Sequence, residues 1–172
     1  FNFYESDKSK NKDISNNLDE NNLEKLETLN IIENISYSSK DSLGNQYKIN
    51  AKKGSFTLDN KDIISMTGVN AVINMNNSEP IYIKSDYANY NTKNYDTQFS
   101  ENVLMTYDEH IIRSQNLDLF FEKQIAQAMN NLVYENNTSR LRADKIEIDL
   151  ITKNSKIFMY NKKKKIKISG KI

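Results

Sequence analysis

From Ile31 onward, apolar and polar residues alternate along this chain with a period of two. Tyr47, Ile49 and Ala51 alternate with Lys48, Asn50 and Lys52. Val69, Ala71, Ile73 and Met75 form a second row, and Ile146, Ile148 and Leu150 a third, set against Glu147 and Asp149. Such alternation marks strands with one buried and one solvated face. Polar turn signals separate the rows: Leu43-Gly44-Asn45, Asp59-Asn60-Lys61, Asn76-Asn77-Ser78, Thr92-Lys93-Asn94, Asp108-Glu109-His110, Glu122-Lys123-Gln124, Asn136-Asn137-Thr138 and Thr152-Lys153-Asn154. Short strands at regular spacing with such turns predict an all-β domain. Pro80 stands at the expected start of a strand, where a missing N–H is tolerated.

The rows also repeat. Ile49-Asn-Ala51-Lys, Ile83-Lys-Ser85-Asp, Ile112-Arg-Ser114-Gln and Leu141-Arg-Ala143-Asp begin 34, 29 and 29 residues apart. Each is followed by an apolar pair of opposite parity: Phe56/Leu58, Ala88/Tyr90, Leu117/Leu119 and Ile146/Ile148. An odd step turns the following residues to the other face unless a bulge restores it. The same step in four repeats predicts the same bend in four hairpins. The expected fold is all-β: stacked antiparallel hairpins forming a half-open roll with an apolar interior and two open ends.

Residues 1–30 are different. They are polar and carry four Lys and seven acidic residues, net −3. That composition predicts a flexible linker, with Leu23, Leu26 and Leu29 spaced for at most one short helix. The domain is therefore expected over 31–172.

Composition narrows the function. Lys+Arg is 24 against 23 Asp+Glu, so the overall charge gives no reason to expect nucleic acid as a partner. Residues 161–172 nevertheless hold six Lys and no acid. The abundance of Asn reads as codon bias of an A/T-rich genome rather than as chemistry. There is no cysteine, hence no disulfide, thiolate metal site or thiol nucleophile. No run approaches the roughly 18 apolar residues of a membrane span.

Candidate catalytic groups are few. His110 is the sole histidine and falls in an expected turn, where it reads as solvated. Neither a Gly-x-Ser-x-Gly nor a phosphate-cradling glycine loop occurs. Asp86 and Asp144 recur at one repeat position, but Lys52 and Gln115 occupy it elsewhere, as on a wet face. The sequence therefore predicts a non-enzyme that needs no metal or cofactor. What remains is the interior. Met66, Met75, Met105, Met129 and Met159 suit irregular apolar contents such as acyl chains. The Lys162–Lys165 run leading into Ile166-Lys-Ile168 reads as an edge strand, either protected by its lysines or open to a partner strand. The opposite edge, near Ile35 and Tyr37, has the same two readings.

Val133–Leu150 and the Thr152–Met159 segment after it, together with Gly44–Ala51 and Ser85–Tyr90, are similar to the repeats of the LptC family, which shares its repeat with LptA and OstA-like domains. The resemblance covers Ile31 to Ile172. It implies a β-jellyroll in the periplasm, tethered to the inner membrane by an N-terminal helix that lies outside this chain. The implied function is relay of lipopolysaccharide, with lipid A acyl chains inside the roll. The inner-membrane Lpt ABC transporter would dock at the N-terminal edge and an LptA-like bridge at the C-terminal edge. Carried onto the inward rows, the lipid contacts would be Ile49, Phe56, Ile83, Tyr90, Met105, Ile112, Leu119, Leu141, Ile148 and Met159. The partner edges would be Ile35 and Tyr37, and Lys165, Ile166 and Ile168. Two other functions stay open on the residues alone. One is a structural adaptor or LptA-like bridge joining proteins edge to edge. The other is a surface or carbohydrate-binding module using Tyr82, Tyr87, Tyr90 and Tyr95.

Overall fold

A computed structural model describes residues 29–76, 78–160 and 167–170. The ten strands are β1 (Leu29–Lys40), β2 (Gln46–Thr57), β3 (Asn60–Asn74), β4 (Ile81–Asn91), β5 (Thr97–Tyr107), β6 (His110–Phe120), β7 (Ile125–Glu135), β8 (Ser139–Asp149), β9 (Ser155–Phe158) and β10 (Lys167–Gly170). All pair antiparallel in one sheet, in chain order from β1 to β8, and β9 and β10 pair with the two halves of β8. The described residues contain no helix. The segment expected as a linker lies outside them except for Leu29 and Asn30, which already belong to β1. Most residues of the expected turns fall between strands, but Asn60 and Lys61 open β3 and His110 opens β6, and Asn77 lies outside the described residues.

Each long strand bends at mid-length. On β4 the buried residues are Ile81, Ile83 and Ser85, then Ala88 and Tyr90; on β6 they are Ile112 and Ser114, then Leu117 and Leu119. The odd step leaves both halves facing inward because the ladder shifts register there, between Lys84 and Tyr87 and between Arg113 and Asn116. On β2 the step runs from Ala51 to buried Gly54, while Leu58, expected inward, sits exposed in the turn. The partner strands make the corner with left-handed backbone: Asn34 on β1, Gly68 on β3, Glu101 and Asn102 on β5, and Asn130 and Asn131 on β7 all have positive φ. Asparagine tolerates that region better than most residues. Several of the asparagines read as codon bias therefore have a structural reason.

Hydroxyls close the corners. Ser85 Oγ donates to the Tyr87 carbonyl at 2.7 Å and Ser114 Oγ to the Asn116 carbonyl at 2.9 Å. Asn102 Nδ2 donates to Asp86 Oδ2 at 2.6 Å, and Asn130 Nδ2 to Asn116 Oδ1 at 2.8 Å. The repeated small residue is thus the inner side of a bend. The bends fold the sheet into two facing layers offset along the roll. Tyr37 on β1 stacks on Tyr90 on β4 with centroids 5.0 Å apart. Strands lie about 4.8 Å apart within a flat sheet, so rings three strands apart meet only across the fold.

Phe158 pairs with Lys145 and Lys167 with Arg142. Ala143 and Asp144 of β8 lie between these two pairings.

Candidate functional site

The interior is tightly filled in one half and open in the other. Toward β1–β6, Tyr37, Tyr90, Tyr95, Phe121 and Tyr47 form a continuous ring chain with centroid separations of 5.0, 6.5, 5.0 and 4.7 Å. The space left there is about 20 Å³, room for one water at most. Asp41, in the β1–β2 turn, anchors this half. Its carboxylate accepts from the Leu43 and Asn45 backbone N–H groups at 3.0 and 2.8 Å, from Asn45 Nδ2 at 2.8 Å, from the Tyr47 hydroxyl at 3.3 Å and from Gln124 Nε2 at 2.6 Å. Burial, with the Asp41 charge adding to it, pushes the Tyr47 hydroxyl well above the usual tyrosine range. Burial, then Tyr95 and Tyr37, pushes Tyr90 up to about 12.

Toward the C-terminal half the layers part around a cavity of about 220 Å³. Its walls are apolar: Ile81 from β4, Met105 from β5, Ile112 from β6, and Ile146, Ile148 and Leu150 from β8 and its turn. Its rim is polar and aromatic. His110 lies between Tyr107 and Tyr134, with centroids 6.2 and 5.8 Å away, and its Nδ1 is 2.7 Å from the Tyr134 hydroxyl. Lys153 reaches over from the β8–β9 turn, with Nζ 4.5 Å above the Tyr107 ring. That nitrogen is buried and has no hydrogen-bond partner among the described residues. Burial pulls the Lys153 amine below the usual lysine range, against the opposing charge of Asp149.

The residues expected to contact lipid divide between these two halves. Met105, Ile112 and Ile148 line the open cavity. Ile49, Tyr90 and Leu119 border the filled half. Ile83 and Leu141 are buried but border neither space, Phe56 is half-buried against the core, and Met159 is half-buried beyond β9. His110 is not the solvated turn residue its sequence neighbours suggested. It opens β6 and holds the rim, and Tyr107, Tyr134 and Lys153 join it there. Their signal was hidden because each flanks a turn, where polar and aromatic residues ordinarily face water.

At the edges, Ile35 and Tyr37 point into the core from β1, leaving that strand's outer backbone unpaired among the described residues. Ile168 on β10 is 70% exposed. Lys165 and Ile166 lie outside the described residues. The four tyrosines of the carbohydrate reading do not make one platform. Tyr82 and Tyr87 are exposed at 48% and 52%, on opposite sides of the β4 corner, and Tyr90 is interior.

No group of three or more metal-ligating side chains occurs among the described residues. The sequence matches the family described as lipopolysaccharide-assembly, LptC-related, over residues 5–171. The chain belongs to the LptC family. LptC proteins serve lipopolysaccharide transport at the periplasmic side of the inner membrane, where they bind lipopolysaccharide and other members of the Lpt complex. LptC is a transport and binding family rather than an enzyme family. No helix among the described residues is long and apolar enough to cross a membrane. A search of curated proteins gives no match.

Proposed function

We propose that this LptC-family chain is a non-enzymatic relay. It would take lipid A acyl chains from the inner-membrane Lpt transporter and pass them to an LptA-like bridge protein. The observation that carries this reading is the apolar cavity between Met105, Ile112 and Ile148, which lies beside the last strands of the sheet. Each methylene moved from water into such a space gains about 0.8 kcal/mol. A further groove of the same chemistry would offer nearly the same gain, so passage between them is close to thermoneutral. Direction then comes from ATP hydrolysis in the transporter, and the chain needs no catalytic group, metal or cofactor. The outer edge of β1 would receive the transporter, and the outer edge of β9 and β10 the bridge, by strand addition. An N-terminal helix preceding this chain would tether it to the inner membrane. The other expected lipid contacts, Ile49, Phe56, Ile83, Tyr90, Leu119, Leu141 and Met159, would act during passage rather than at rest.

The test is photo-crosslinking in cells making labelled lipopolysaccharide, with the reactive residue at Ile112 or, as outward control, at Arg113. The reading expects lipid adducts at Ile112 and none at Arg113. No adduct at Ile112 in folded, membrane-localised protein overturns it. That result would favour a second reading, an adaptor that joins partners through the two strand edges left unpaired among the described residues.

A further inference from the structure

The rim of the cavity is charged on one side. Lys153 Nζ is buried, lacks a hydrogen-bond partner among the described residues and lies at the border of a space whose other walls are Met105, Ile112 and Ile148. The nearby Asp149 carboxylate is engaged by its own turn: Oδ1 accepts from the Ile151 and Thr152 backbone N–H groups, each at 2.9 Å. The Tyr107 ring covers one side of the ammonium without accepting its protons conventionally. A buried cation left without an acceptor is costly, and an anion beside it removes that cost. The cavity itself, at about 220 Å³, is smaller than the roughly 300 Å³ at the lower limit of drug-sized pockets. It suits part of one acyl chain, not a sugar headgroup or several chains.

The geometry points to Lys153 as the anion-recognising group of the cavity: an acyl chain lies among Met105, Ile112 and Ile148 while a negative group attached to it, a lipid phosphate or a carboxylate, meets Lys153 Nζ at the rim. This rests on the acyl-binding reading and adds a charge preference to it. His110 and Tyr134, hydrogen-bonded to each other, line the same cavity.

Purified protein would be titrated calorimetrically with decyl phosphate, decanoate and decanol, each below its aggregation threshold. The anions should bind at least about tenfold tighter than decanol, the scale of one charge-assisted hydrogen bond. Decyl phosphate ahead of decanoate identifies lipid phosphate as the natural source, and the reverse order identifies a free fatty acid. Lys153→Met should bring the anions to decanol's affinity and leave decanol unchanged, while Lys153→Arg should keep the preference. Equal affinities for all three ligands overturn the role of Lys153 and leave the acyl cavity standing. So does a Lys153→Met variant that weakens decanol as much as the anions. No binding by any of the three overturns the acyl-cavity reading and this inference with it.

Discussion

Gln124 Nε2 donates a 2.6 Å hydrogen bond to Asp41 Oδ2 across 83 residues of sequence. It ties the β1–β2 turn to the β6–β7 turn and closes one half of the roll. The same backbone turn holds Leu150, whose N–H donates to the Gln124 carbonyl at 2.9 Å. Asp41 also orders its own turn, so its loss removes several charge-assisted bonds at once. Asp41→Ala should lower stability by about 2–4 kcal/mol, read as a fall in the urea midpoint. Gln124→Ala should cost about 1 kcal/mol. Equal losses for the two variants would mean that the turn itself contributes little.

The corners predict a substitution pattern that depends on backbone rather than on contacts. Asn131 has φ 52°. Asn131→Val should cost about 1–2 kcal/mol, because a β-branched residue is strained there, and Asn131→Gly should be close to neutral. Ser114→Ala should cost about 1 kcal/mol through the lost bond to the Asn116 carbonyl. Thermal unfolding of the three variants checks the order.

Alkaline pH should loosen the aromatic half. Tyrosine in an unfolded chain ionises near pH 10, whereas burial holds Tyr90 at about 12 and Tyr47 higher still. The unfolded state therefore releases these protons first. The contribution is fully present below about pH 10 and is lost as pH rises through the folded value of about 12. Tyr90→Phe should move the alkaline unfolding midpoint, followed by circular dichroism, to higher pH. An unchanged midpoint would place the alkaline weakness elsewhere.

Lys153→Met should make the ligand-free protein more stable. The lowered amine pKa means that folding disfavours the charged form, and Nζ has no hydrogen-bond partner among the described residues. The sign follows from linkage: between the lowered folded value and the usual value near 10.4 the unfolded chain binds more protons, so this group adds stability as pH rises. A higher melting temperature for the variant at pH 7 is the expected result, and a lower one would mean that the contact with Tyr107 outweighs the burial. A residue that weakens its own fold is a common mark of a binding site.

Much of this architecture can be read in the chain. Period-two rows such as Tyr47-Ile49-Ala51 give strands directly, and Asp108-Glu109 and Asn136-Asn137 give turns. The bend was visible as an odd step because a small residue, Ala51, Ser85, Ser114 or Ala143, recurs on its inner side. Its other half was not visible. Asn102, Asn130 and Asn131 adopt left-handed backbone, but asparagine is so abundant that three functional copies do not stand out. The rim was also hidden. Tyr107 and His110 face each other across one hairpin, but Lys153 reaches them from the β8–β9 turn, and that approach is a property of the folded sheet that no local pattern encodes. Family membership carried the transport role, which the rows alone could only narrow to an apolar interior.

Pairing in this sheet links strands that are neighbours in the chain, apart from β10, which skips the short β9 to reach β8. Chain closure entropy is then small at every step, and hairpins can add to a growing roll in the order in which they are synthesised. Contacts of low sequence separation favour fast assembly. They also let stability be spread unevenly: strands at the two ends can open while the centre holds. Hydrogen exchange would register such a gradient as early labelling of β1, β9 and β10 and late labelling of β3 to β6. The strands that open first also carry the outer edges of the sheet, so under the proposed strand addition a partner strand would complete the fold as it binds.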